Sequence, residues 1–230
     1  MSLATTEQEI KIAPDGLSGD LVMPERASGV VLFAHGSGSS RHSSRNRYVA
    51  GVLQQGGFAT LLLDLLTAAE EQVDDATGHL RFDINLLADR LLEATDWRQR
   101  DPQTHGLKIA HFGASTGAGA ALVAAAERPL LIKAVVSQGS RPDLAGSALS
   151  RVQAPTLLIV GGNDHLVIRL NQEGRTAMRK AALDRTWRDA SVRRARNAGG
   201  SREAGAGLVW SPLGRRSTAC LLNARDGSPT

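Results

Sequence analysis

Between residue 9 and about residue 178, short runs of β-branched and apolar residues alternate with stretches whose apolar positions recur at helical spacing. That alternation predicts strands joined by helices around a mostly parallel sheet, with helices on both faces. Glu9 to Ala13 and Asp20 to Met23 read as an opening antiparallel hairpin about Asp15-Gly16. Gly29 to Ala34 (G-V-V-L-F-A) is apolar throughout, as a strand covered on both faces would be. Tyr48 to Gln55 reads as a short helix closed by Gly56-Gly57, Phe58 to Leu63 as the next strand, and the acidic stretch through Asp75 as irregular loop. Phe82 to Trp97 carries Leu86, Leu87, Leu91 and Ala94 on one helical face. A strand over Leu107 to Phe112 then runs into G-A-S-T-G and an Ala-rich helix that reaches Glu127, just before Pro129. Lys133 to Ser137 and Pro155 to Val160 read as further strands, and Val167 to Ala182 as a helix. Beyond it both periodicities stop, and Arg, Gly, Ser and Ala dominate. No internal repeat is present.

Composition refines this picture in two ways. With 42% hydrophobic but only 3% aromatic residues, the core must be built from Leu, Val, Ile and Ala, which suits strands sandwiched between helices. The net charge of +4 is not spread along the chain. Arg185, Arg188, Arg193, Arg194, Arg196, Arg202, Arg215, Arg216 and Arg225 follow Asp184, opposed only by Asp189, Glu203 and Asp226. The basic balance therefore describes the tail, not the body. Nucleic-acid binding through that tail would be salt-dependent and blind to sequence, and no nucleic-acid partner is expected. A lone cysteine, Cys220, rules out an intramolecular disulfide and a multi-thiolate metal site. The absence of a leader-like N-terminus and of a run of ~20 apolar residues leads to the expectation of a soluble, cytoplasmic protein with no membrane partner.

The chemistry concentrates at strand ends. Gly113-Ala114-Ser115-Thr116-Gly117 joins a predicted buried strand to a predicted helix, which is the arrangement that lifts a serine hydroxyl above a sheet as a nucleophile. The bland alternative is a Gly-rich turn with a capping serine. His35-Gly36-Ser37-Gly38-Ser39-Ser40 follows the Gly29 strand, where backbone N–H groups could meet the negative charge of an acyl-transfer transition state, at about 3 kcal/mol each. The N–H groups of Ser37 and Thr116 are the candidates. A phosphate loop is the rival, but neither Gly-Lys-Ser/Thr nor G-x-G-x-x-G occurs there. Asp164, after Gly161-Gly162-Asn163, fits the order Ser then Asp then His, though a carboxylate there could equally cap a helix or sit in a turn.

Taken together, H-G-S-G-S-S-R, G-A-S-T-G and L-L-I-V-G-G-N-D resemble the dienelactone-hydrolase branch of the α/β-hydrolases over residues 9 to about 178. The resemblance implies a Ser or Cys nucleophile, an Asp and a late His acting on small esters or lactones, with no cofactor and no metal. Ser115 stands where the well-known dienelactone hydrolases carry Cys, which bears on lactone chemistry.

The late His is missing. The histidines are His35, His42, His79, His105, His111 and His165, and none follows His165. Of these His42 is the least badly placed to substitute. Read one base out of phase, the codons of the tail can give P-G-A-T-H-L-F-E-E-P-G, similar to the family's histidine loop, and a helix ending D-W-F. This places a frameshift near residues 179 to 182. The expected organisation is thus a hydrolase domain over 1–182, lacking its last strand and helix, and a loosely packed Arg/Gly-rich tail over 183–230. The expected activity is serine ester hydrolysis by family and little or none in this chain. The alternative is a pseudoenzyme or binding protein that uses the same cleft.

Overall fold

The structure is a computed structural model that describes residues 5–187. The tail reading therefore lies, from residue 188 onward, outside the described residues, as does the expected loss of a last helix.

An eight-stranded sheet organises the chain, in the order β1-β2-β4-β3-β5-β6-β7-β8. β1 (Thr5–Ile12) and β2 (Leu17–Pro24) form the expected antiparallel hairpin, and β2 also pairs antiparallel with β4 (Ala59–Leu63). Every other pairing is parallel: β3 (Gly29–Ala34) between β4 and β5 (Lys108–Ala114), then β6 (Ile132–Gln138), β7 (Thr156–Gly161) and β8 (Ala181–Trp187). This is the mostly parallel sheet that the alternation predicted.

Both faces of the sheet are covered because the central strands carry apolar side chains on both sides. On one face Val31, Phe33, Leu62, Ala110, Phe112 and Ala134 meet Val49, Ala50 and Leu53 of α1 (Ser44–Gln55), and the rings of Phe33 and Phe112 stack at 4.9 Å. On the other face Val30, Leu32, Ala34, Leu61, Leu63 and Ile109 meet α3 (Ile84–Arg100) and α4 (Thr116–Glu127). α4 is buried around nearly its whole circumference. Its glycines and alanines let it fit between the sheet, α3 and a kinked 3₁₀ segment over Pro142–Arg151.

Three sequence expectations need correction. The acidic stretch before Asp75 is largely helical: α2 (Ala68–Thr77) is opened by a capping box in which Thr67 and Glu70 satisfy each other's backbone N–H. Its only large apolar residue, Val73, is exposed, so no apolar face betrays the helix. The helix expected over Val167 to Ala182, α5 (His165–Ala177), ends before Ala182. Most consequentially, the strand beside β7 is present. Ala181–Trp187 pairs with it in parallel register, Thr156 opposite Ala181 and Leu158 opposite Leu183. Pairing needs only backbone groups and alternation, and Ala181 and Leu183 supply the alternate inward positions that pack on the core.

Candidate active site

The C-terminal ends of β3, β5 and β7 emerge on one rim of the parallel sheet, and from them leave the loop at His35, the turn at Ser115 and the turn to Asp164. With strands ~4.8 Å apart, the His35 loop and Ser115 come from neighbours, and Asp164 from two strands further along.

Ser115 is the one non-glycine residue with positive φ among the described residues, at φ 52° and ψ −121°. Such a conformation costs ~1–3 kcal/mol and persists only where the surroundings enforce it. Here the Ser115 N–H donates to the carbonyl of Gln138 at 3.0 Å, and Ala118 N–H donates to the Ser115 carbonyl at 3.0 Å. The flanking glycines are sterically obligatory: a Cβ on Gly113 would lie 2.4 Å from Ala118 Cα, and one on Gly117 would lie 2.3 Å from the carbonyl oxygens of Ala34 and His35. Strand β5 can turn this sharply into α4 only because those side chains are absent. The first-turn N–H of Thr116 has no acceptor within its helix.

The His35 loop passes against the turn. A Cβ on Gly36 would meet Ser115 Cβ at 2.9 Å, so the loop backbone runs along the serine. The Ser37 N–H has no hydrogen-bond acceptor among the described residues. The structure thus sets the Gly36 backbone against Ser115, with Ser37 and Thr116 lining one cleft beside them. A cleft of about 410 Å³ beside them is lined by Gly36 to Ser40, His42, Leu65, Glu71, Arg81 and Thr116, among others. The Thr116 hydroxyl is buried without a partner.

One wall of this cleft was not singled out in the sequence. The wall facing the His35 loop comes from Glu71, Asp74 and Asp75 of α2 and Arg81 of the 3₁₀ turn Leu80–Phe82. Burial and nearby Asp64 push the Glu71 carboxyl up from the ordinary range. Burial acts the same way on Asp74, but hydrogen bonds from Arg81 outweigh it and hold that carboxyl low. The pattern Thr67-x-x-Glu70 was the available sequence signal for this helix.

Asp164 caps α5, its Oδ1 accepting the Val167 N–H at 3.0 Å. The helix-capping alternative is therefore realised on one of its oxygens. The histidines are engaged elsewhere. His35 is buried, donates from Nδ1 to the carbonyl of Gly36 at 3.0 Å and accepts the Leu65 N–H on Nε2 at 3.2 Å. His42 lines the cleft, but its Nδ1 faces the Arg47 guanidinium at 2.9 Å. A guanidinium only donates, which fixes that nitrogen as acceptor and the proton on Nε2. His111 is fully buried in β5 with Nε2 3.1 Å from Thr95 Oγ1, and burial drives its pKa down to about 3. His79 and His105 contact Thr77 and Pro102, and His165 opens α5. No group of three His, Cys, Asp or Glu side chains suited to a metal ion occurs among the described residues.

Comparison with known proteins fits this geometry. The sequence model of the dienelactone hydrolase family matches residues 17–187. The chain belongs to the dienelactone hydrolase family. That match runs through β8, past residue 178, where the resemblance was expected to end. Within the family, a crystal structure of dienelactone hydrolase from Anabaena variabilis is 56% identical, with a TM-score of 0.76 over 81% of this chain and 88% of that one. Proteins from two strains of Mycobacterium tuberculosis, provisionally named phosphoribosyl transferases, are 54% identical over 176 residues, which is 76% of this chain and 39% of theirs. The chain spans about two fifths of the length of these relatives. Est1E from Butyrivibrio proteoclasticus, 15% identical with a TM-score of 0.61 over 77% of this chain and 87% of that one, shares the fold. No helix among the described residues is long and apolar enough to cross a membrane.

Proposed function

We propose that this body is a cofactor-independent serine hydrolase of small carboxylic esters or lactones, and that the chain as written turns over poorly for want of a base. The observation that carries the reading is the strained turn at Ser115, packed against a loop whose Ser37 N–H has no acceptor among the described residues. Strain of this kind is retained where geometry matters more than stability.

In the proposed reaction Ser115 Oγ attacks the ester carbonyl, and the N–H groups of Ser37 and Thr116 receive the charge that develops on its oxygen. Collapse expels the alcohol and leaves an acyl-enzyme, which water then cleaves. Both steps need a base for the attacking hydroxyl, because serine is a weak nucleophile at neutral pH until its proton is taken. Asp164 would orient and stabilise a histidine in that role, and no histidine follows His165. The lone pairs of His35 and His42 are already committed to Leu65 and Arg47. These engaged rings also favour the second reading, a pseudoenzyme that binds a small ester or acid in the cleft without turnover. Loss of the triad base costs on the order of a millionfold in serine hydrolases, leaving a residual ~10³ to 10⁴ over water.

The test compares this chain, its Ser115→Ala variant and a chain whose tail is read in the alternative phase, using 4-nitrophenyl acetate and a fluorophosphonate probe. Rapid hydrolysis and Ser115 labelling are expected in the third protein alone. Fast turnover by the chain as written, abolished by Ser115→Ala, would reveal another base, with His42 the first to replace. Binding without turnover in all three would establish the second reading.

A further inference from the structure

The segment Gly36-Ser37-Gly38-Ser39-Ser40 contains nothing that could anchor it by apolar burial. Glycines and serines leave a loop with high conformational entropy unless other groups hold it. Within the segment one hydrogen bond forms, Ser39 N–H to the Gly36 carbonyl at 3.2 Å, and Ser40 accepts only from its near neighbours, the Ser43 N–H on its carbonyl at 3.0 Å and the His42 N–H on its hydroxyl at 3.2 Å. Yet the Ser37 N–H must sit at one place relative to Ser115 if it is to act on a transition state.

What holds the loop lies at its two ends, and both attachments lead to successive residues beyond β4. At the front, His35 Nε2 accepts the Leu65 N–H at 3.2 Å while its Nδ1 donates to the Gly36 carbonyl at 3.0 Å. At the back, Arg41 donates its main-chain N–H to Asp64 Oδ1 at 2.8 Å and its Nη1 to Asp64 Oδ2. The same guanidinium reaches Asp20 Oδ1 through Nε at 3.1 Å and Glu9 Oε1 through Nη2 at 2.9 Å. The Arg41 and Asp64 side chains are only 15% and 11% exposed, so this pair is shielded from the screening that weakens surface bridges. Glu9, at 61% exposed, is the weak arm. A planar fork that satisfies three carboxylates in fixed directions is a task lysine cannot perform.

We infer that Arg41 is a positioning residue for the oxyanion hole: with His35 it suspends loop 36–40 from Asp64 and Leu65 and so fixes the Ser37 N–H against Ser115. This rests on the reading of Ser37 as an oxyanion donor. The alternative is that Arg41 merely ties the β1–β2 hairpin to the sheet, in which case its loss lowers stability and leaves the rate per folded molecule unchanged. A misplacement of ~1 Å can cost ~100-fold in rate, and removal of one oxyanion donor costs ~10²- to 10³-fold.

The experiment uses the residual hydrolysis of 4-nitrophenyl acetate by the chain as it stands, with kcat, KM and melting temperature measured together. Arg41→Met should lower kcat above the water background by about 10- to 100-fold with KM changed by less than about twofold. Arg41→Lys should recover part of the loss, and the remote Arg151→Gln should move nothing. If Arg41→Met is unfolded at the assay temperature, Arg41→Lys and Asp64→Asn decide on the same split of kcat from KM. Wild-type kcat in the folded Arg41 variants overturns the positioning role. Ser37→Pro, which removes the N–H itself, separates the two ideas. If folded Ser37→Pro keeps the full residual rate, the oxyanion reading fails, and the positioning role with it. If Ser37→Pro is impaired while Arg41→Met is not, only the positioning role fails.

Discussion

At the scale of single residues, Ser115 illustrates how a site is held against its own preference. Its positive φ is enforced by the Gln138 and Ala118 hydrogen bonds and by the contacts at Gly113 and Gly117. Ser115→Gly should therefore stabilise the protein, by about 1 kcal/mol, while removing the nucleophile; a urea titration reads the gain. Gly117→Ala should go the other way, since its methyl would fall inside the van der Waals radius of two carbonyl oxygens; failure to recover folded protein is the expected result. His111 gives a pH signature. Its folded pKa, about 3, lies below the unfolded value near 6.5, so between those values the unfolded chain binds more protons. Stability from this group is complete above ~6.5 and is lost as pH falls, on the order of 1–2 kcal/mol by pH 5. His111→Leu should flatten the dependence of the urea midpoint on pH between 7 and 4.5.

Among the elements, α2 shows why some were readable and others were not. Strands β3, β5 and β7 and helix α4 lay close to the residues expected of them, because short, mostly apolar runs and an Ala-rich stretch before Pro129 admit few other structures. α2 has no apolar stripe, and its evidence in the sequence was a cap alone. It is held by that cap and by Arg90 of α3, which pairs with Glu70, Glu93 and Asp15. Thr67→Ala should cost about 1 kcal/mol, and amide exchange in residues 68–77 should accelerate more than in α3. β8 erred in the other direction. A change of reading phase was expected to erase it, but an edge strand asks only for extended backbone and alternate inward side chains, and Ala181 and Leu183 suffice.

Across the whole molecule, the sheet is buried on two faces of unequal cover. Among the described residues, α1 is the helix that contributes to the Phe33–Phe112 face, whereas α3 and α4 both contribute to the opposite one. On the proposed frameshift, the alternative reading phase would add a helix after β8 as well as the missing histidine. The chain with that tail should melt higher than this one, each additional kcal/mol being worth ~2–4 °C in a domain of this size; equal melting temperatures by calorimetry would count against the phase change. The sequence by itself determined strands β1 to β7, the sharp turn at Ser115 and the Gly/Ser loop after β3, because these depend on local properties: apolar runs, and glycines where nothing larger fits. Only the tertiary structure decided that Asp164 caps a helix, that His35 and His42 have their lone pairs occupied, that α2 walls the cleft, and that Arg41 and Asp64 meet across the sheet edge. Each of these is a contact between residues distant in the chain or a choice among hydrogen-bond partners. No local pattern records such a choice, because the partner is delivered by the fold.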